Sequence, residues 1–140
     1  MARGGHNAKR SGRARPPQQQ SSSAPTRGNG GLRLVVGLGA SAGGLDAFRT
    51  FLAHMPPDSG MAFVLIQHLD PHHKSLLVEL LGKQTTMPVV QAEDGTTVAA
   101  DHIYVIPPNA ELAINAGILG VTTPAPPREQ RKPIDAFFTS

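Results

Sequence analysis

The chain has 140 residues, enough for one domain and a tail, and its composition excludes several classes of protein. It contains no cysteine, which excludes disulfide frameworks, thiolate metal sites and cysteine nucleophiles. No apolar run reaches the roughly 20 residues that a transmembrane helix needs, and the basic N-terminus lacks the apolar segment of a secretory signal. We therefore expect a cytoplasmic protein without membrane insertion.

The net charge of +3 is unevenly distributed along the chain. Residues 1–33 carry seven Lys or Arg and no acid, whereas the rest carries six basic and ten acidic side chains. The first 31 residues are also rich in Gly, Pro, Ser and Gln, a composition that cannot bury enough apolar surface to fold. We expect residues 1–31 to be a disordered basic tail and residues 32–140 to form a domain. Such a tail could contact phosphates, but we favour a solvated extension and do not expect nucleic acid as a partner.

The folded part alternates between strand and helix signals. Apolar runs predict strands at 34–38 and 62–66, each buried on both faces, a brief one at 88–90 and a fourth at 102–106. Three helices are predicted, at 45–54, from an Asp70 cap to Gly82, and at 134–139. A tight turn is predicted at 39–44, and a β-hairpin at 111–115 and 118–122. This order predicts a doubly wound, mostly parallel α/β sheet with helices on both faces plus a hairpin.

Two motifs overlap in the turn after the first strand. Residues 37–42 fit the dinucleotide fingerprint G-x-G-x-x-A, but Gln67 and His68 stand where a ribose-binding acid is expected after the second strand. Residues 39–43 fit G-x-S-x-G, a strand-to-helix turn that exposes a nucleophilic serine, here Ser41. The backbone N–H of Ala42 could then stabilise an oxyanion. Alternatively, Ser41 is only a helix N-cap.

His68 strengthens the nucleophile interpretation because it directly follows the second buried strand. Parallel strands end at the same edge of a sheet, so its imidazole should reach Ser41 as a general base. A metal site is the other interpretation of this segment, with His68, Asp70, His72 and His73 as ligands. We disfavour it because Asp70 suits a helix cap and adjacent histidines in a helix point about 100° apart.

Several ordered motifs resemble the chemotaxis-receptor methylesterase family, the CheB type. They are V-V-G-L-G-A-S-A-G-G-L (35–45), A-F-V-L-I-Q-H-L-D-P-H-H-K-S-L-L (62–77), T-M-P-V and A-E-D-G within 86–95, Y-V-I-P-P-N (104–109) and R-x-x-R-x-P-I-D-A-F-F-x-S (128–140). The Ala after the serine and the L-D-P-x-H stretch look most like versions fused to a CheR-type methyltransferase or to sensory modules. The resemblance implies hydrolysis of glutamate γ-methyl esters on the cytoplasmic domain of chemoreceptors, without a cofactor, by Ser41 as nucleophile and His68 as base.

The resemblance also implies a third catalytic residue, an Asp in a G-M-G-x-D-G stretch, which this sequence lacks. Asp94, Asp101 and Asp135 remain, but none stands in the matching motif. We therefore expect an N-terminal portion of the domain, with an exposed apolar sheet edge and weak or no activity. A non-catalytic module that binds a receptor or a partner protein is the alternative.

Overall fold

A computed structural model describes residues 31–67, 76–127 and 132–140, together with Met1. Its strands are β1 (Leu34–Ala40), β2 (Met61–Gln67), β3 (Val89–Gln91), β4 (Ile103–Val105), β5 (Glu111–Asn115) and β6 (Ile118–Thr122). Its helices are α1 (Leu45–His54), α2 (Leu77–Gly82) and α3 (Pro133–Phe138), and a 3-10 turn, Ala42–Gly44, precedes α1. Residues 2–30 of the predicted tail and the predicted Asp70 cap lie outside the described residues. Leu76, which was predicted to be helical, is instead the N-cap of α2.

Four strands form a parallel sheet in the order β1-β2-β4-β3, and β5 and β6 form a separate antiparallel hairpin. The register pairs Leu34 with Met61 at one end of β1 and Ala40 with Gln67 at the other. The predicted fold class and the parallel pairing of the first two strands are confirmed.

Strand β2 supplies side chains to two cores because successive strand residues point to opposite faces. Phe63 and Leu65 pack with α1 and α2, whereas Val64 and Ile66 pack with the hairpin and α3. All four are 0% exposed. Helices therefore cover both faces of the sheet, as predicted, and the hairpin covers part of the face on the α3 side.

Strand β1 is only half-buried, so the prediction that it would be buried on both faces is wrong. Within the described part of the chain it pairs with β2 alone, and Leu34 is 56% exposed. Its face toward α3 carries the glycines Gly37 and Gly39, and side chains of α3 fill the space above them.

The turns follow the expected chemistry with one shift. The hairpin turns at Ala116 and Gly117, which have φ of 49° and 78°, as a two-residue turn of the primed type requires. The turn after β1 starts at Ser41, two residues later than predicted, because Gly39 and Ala40 still pair with β2.

In the described parts of the chain, no helix has both the length and the apolar character to span a bilayer.

Gly39→Ala tests how closely α3 approaches β1. A Cβ at this position would lie 2.7 Å from Cγ2 of Ile134, a methyl group of a β-branched side chain whose χ1 rotation is restricted. We expect the free energy of unfolding to fall by about 1–3 kcal/mol, as overpacking does elsewhere. Urea denaturation measures this. Gly82→Ala is the matched control, since nothing lies within 4 Å of a Cβ there, and a loss there equal to that at Gly39 would contradict the packing argument.

Candidate active site

Ser41 stands at the carboxyl end of the sheet, directly after the last residue of β1. Its backbone is extended, with φ −79° and ψ −178°, and the chain then enters the 3-10 turn and α1. Its side chain is exposed. This is the strand-to-helix geometry that presents a serine hydroxyl above a sheet edge.

The Ser41 hydroxyl is not used as a helix cap. Ser41 occupies the N-cap position of the 3-10 turn, but its side chain makes no capping hydrogen bond. The turn closes instead through the backbone, where the Gly44 N–H donates to the Ser41 carbonyl oxygen at 2.9 Å. The structure therefore does not support the N-cap interpretation of Ser41.

Ala42, the proposed oxyanion donor, is the first residue of the 3-10 turn. The first backbone N–H groups of a helical segment have no acceptor within that segment. The Ala42 N–H follows the serine directly, as in serine hydrolases built on G-x-S-x-G. Its assignment as oxyanion donor remains a prediction.

The glycines of the overlapping motifs have separate structural reasons. A Cβ on Gly37 would lie 2.9 Å from the rings of Phe137 and Phe138, so Gly37, like Gly39, is required by the approach of α3. A Cβ on Gly44 would collide with the Cβ of Ala40, whereas a Cβ on Gly43 would meet nothing within 4 Å. Helix packing thus explains the first two glycines of the dinucleotide fingerprint without a nucleotide.

Gln67 lies at this site, although from the sequence it was noted only because it stands where a ribose-binding acid would be expected. It ends β2, pairs with Ala40 and is only 7% exposed. Its side-chain Nε2 donates to the Ser41 carbonyl oxygen at 3.3 Å. The detectable signal in the sequence is a polar residue that ends an apolar run just before a candidate base.

His68 lies outside the described residues, as do the other members of the metal interpretation, Asp70, His72 and His73. The predicted hydrogen bond between Ser41 and His68 therefore stays a prediction. The register is consistent with it, because Ala40 and Gln67 are paired and the next residues along the two strands are Ser41 and His68. Over the described ranges, no three His, Cys, Asp or Glu side chains form a group that could hold a metal ion.

The three carboxylates considered as the third catalytic group occupy different places. Asp101 precedes β4 and accepts a 2.7 Å hydrogen bond from the Gly60 N–H, at the amino end of β2 and away from Ser41. Asp94 accepts a 2.9 Å bond from the Val121 N–H in the hairpin. Asp135 is exposed in the first turn of α3.

Asp135 belongs to the element that lies against the end of β1. Its neighbour Ile134 sits over Gly39, two residues before Ser41. The first turn of α3 therefore lies toward the same edge of the sheet as Ser41. Of the three carboxylates, Asp135 is the one carried by a helix that packs on β1.

Comparisons with known proteins point to one family. The sequence profile of the CheB methylesterase family matches residues 36–140. A protein-glutamate methylesterase/protein-glutamine glutaminase of Burkholderia orbicola is 36% identical over 118 residues, which is 84% of this chain and 34% of the relative. A protein of the same name from Pectobacterium atrosepticum is 32% identical over 137 residues, 91% of this chain and 39% of that protein.

A solved structure supports the fold. The CheB methylesterase catalytic domain of Thermotoga maritima superposes with a TM-score of 0.63 at 22% identity, covering 74% of this chain and 57% of that domain. The chain spans about a third of the length of the curated relatives it matches. By the profile match and these identities, the chain belongs to the CheB methylesterase family.

Proposed function

We propose that this chain carries the nucleophile and the general base of a protein-glutamate methylesterase, a carboxylic ester hydrolase. Its substrate is the glutamate γ-methyl ester of a chemoreceptor cytoplasmic domain, and a fused or separate CheR-type methyltransferase is the expected source of that ester. The site of action is then the cytoplasm. The observation that carries the proposal is the exposed Ser41, free of a capping role, at the β1 end that is in register with the residue before His68.

The proposed reaction has two steps. The Ser41 oxygen attacks the ester carbonyl while His68 accepts the hydroxyl proton, and the Ala42 N–H donates to the oxyanion that forms. When the intermediate collapses, His68 returns the proton to the methoxide and methanol leaves. Water then attacks the acyl-enzyme with the same help from His68 and releases the glutamate carboxylate and Ser41.

The same attack on a glutamine side chain would release ammonia instead of methanol. The relatives are named for both activities, methylesterase and glutaminase. An amide is a poorer substrate than an ester because its leaving group is more basic, so proton return by His68 matters more there. We therefore expect any glutaminase activity of this chain to be weaker than its esterase activity.

A non-catalytic module that binds a receptor or a partner protein is the second candidate. The observation that favours it is that two of the three candidate carboxylates are held elsewhere, Asp101 by Gly60 and Asp94 by Val121. Without an orienting acid the turnover of a serine protease falls by about 10⁴-fold. A module would bind a methylated receptor and leave Ser41 chemically inert.

A fluorophosphonate probe separates these two functions, because it forms a covalent bond only with an activated serine. We expect slow labelling of Ser41 and none in Ser41→Ala, with methanol release about 10⁴-fold below that of an enzyme with a complete triad. Mass spectrometry of the labelled peptide and a methanol assay provide the measurements. Ser59→Ala is the control, since this loop serine accepts a bond from the Met61 N–H and lies before β2. Receptor binding without any labelling of Ser41 would favour the module.

Gly44→Ala should disrupt the turn that presents Ser41, because the new Cβ would collide with the Cβ of Ala40 and displace the end of β1. We expect the labelling rate of Ser41 to fall at least tenfold. Gly43→Ala, at the preceding residue, is the matched control because a Cβ there has open space. The labelling rate of Ser41 in this variant should stay within about twofold of the parent chain. Equal rates in the two variants would show that the turn does not depend on this contact.

Asp135→Asn tests whether the first turn of α3 supplies the orienting acid. Asp135 is exposed and stands where an acid suits the helix dipole, so we expect the labelling rate of Ser41 to change less than about twofold. Glu111→Gln, at the start of β5, serves as a charge-matched control. A loss of tenfold or more in Asp135→Asn alone would identify Asp135 as the missing member of the triad.

A further inference from the structure

We propose that Gln67 is a positioning residue for Ser41, acting through the Ser41 backbone and not on the substrate. The inference deepens the proposed function and rests on it for its catalytic consequence. Its structural part, a tether between β2 and the turn after β1, stands on the contacts of Gln67 alone.

The position of Gln67 is unusual for its chemistry. The five residues before it, 62–66, are apolar and 0% exposed, and Gln67 continues that strand at 7% exposed. A carboxamide buried in such surroundings is costly unless it forms hydrogen bonds. The bond from Nε2 to the Ser41 carbonyl oxygen, at 3.3 Å, is one that this side chain makes.

The Ser41 carbonyl accepts two hydrogen bonds from two different elements. Gly44 N–H, at 2.9 Å, closes the 3-10 turn from within. Gln67, from the neighbouring strand, connects that turn to the carboxyl end of β2. A carbonyl oxygen has two lone pairs, and both bonds restrict rotation of the peptide that joins Ser41 to Ala42.

This tether couples the two catalytic positions. Rotation of the peptide after Ser41 would turn the Ala42 N–H and shift the serine relative to β2. Gln67 also directly precedes His68 in the chain. A single side chain thereby ties the segment that carries the nucleophile to the strand end that carries the base. Its loss should reduce the rate of attack more than the binding of the ester.

The test replaces Gln67 by Met, which keeps the length and apolar stem of the side chain but has no donor. Gln91→Met is the matched control, because Gln91 ends β3 as Gln67 ends β2, and its side chain is exposed. The rate of phosphonate labelling at Ser41 and, with the receptor ester, kcat and KM separately are measured in both variants at a temperature where both are folded.

In Gln67→Met we expect the labelling rate and kcat to fall about 10- to 100-fold while KM changes less than about threefold. Gln91→Met should remain within twofold of the parent chain. A loss explained entirely by a reduced folded fraction, or an equal loss in both variants, would overturn the positioning role.

Amide hydrogen exchange of Gly44 gives a readout that needs no activity. If Gln67 holds the Ser41 carbonyl, its replacement should speed exchange of the Gly44 N–H about tenfold while amides in the centre of β2 stay protected. Unchanged exchange at Gly44 would refute the tether. A parent chain that fails to label at Ser41 would instead refute the proposed function, and the exchange result would still decide the tether.

Discussion

The seven-residue parallel register between β1 and β2 is the constraint on which the rest of the site depends. It sets Ala40 beside Gln67, so that β1 and β2 end at the same level of the sheet. A slip of one residue would put each side chain of β1 on the opposite face. Gly37 and Gly39 would then face α1, and Val36 and Leu38, which pack on the α1 side, would face α3, where there is no room for them. Helix packing and the site are therefore specified by one register.

Two motifs overlap in the glycine-rich turn, but contacts elsewhere in the fold explain most of its glycines. Gly37 and Gly39 belong to both the strand and the contact with α3, and Gly44 belongs to the contact with Ala40. Gly43, which completes G-x-S-x-G, has open space around it. The G-x-S-x-G match singled out Ser41 as the candidate nucleophile, whereas of the two glycines in that motif only Gly39 is sterically required. The distinction comes from contacts that are remote in the chain, above all those with α3.

Local patterns predicted the elements well where the determinants are local. The bounds of α1 follow from its apolar spacing and the prolines after it, and the hairpin follows from the Ala116–Gly117 turn between two strands. The burial of β1 was predicted wrongly, because an apolar run does not reveal whether a strand has one neighbour or two. The turn after β1 starts later than predicted because pairing with β2 extends the strand through Ala40.

The same distinction between local and long-range determinants applies to the candidate site. Ser41 could be predicted as a candidate from its motif, and His68 from its place after a buried strand, since both arguments use only sequence neighbours. The bond from Gln67 to the Ser41 carbonyl could not, because it joins residues 26 positions apart through a side chain whose length and burial decide the contact. Asp94 and Asp101 likewise accept hydrogen bonds from backbone amides that are distant in the chain, and these contacts depend on the tertiary structure.

The reliance of β1 on α3 has a consequence for how the chain matures on the ribosome. With glycines on that face, β1 brings little side-chain surface of its own, and its cover arrives with Ile134 and Phe137, near the last residues of this sequence. At about 5–20 residues per second, β1 and β2 are synthesised several seconds before α3. Until the hairpin and then α3 have been synthesised, the nascent strand pair lacks the elements that bury Val64 and Ile66. The packing around the segment that carries Ser41 is therefore completed only after α3 has been synthesised.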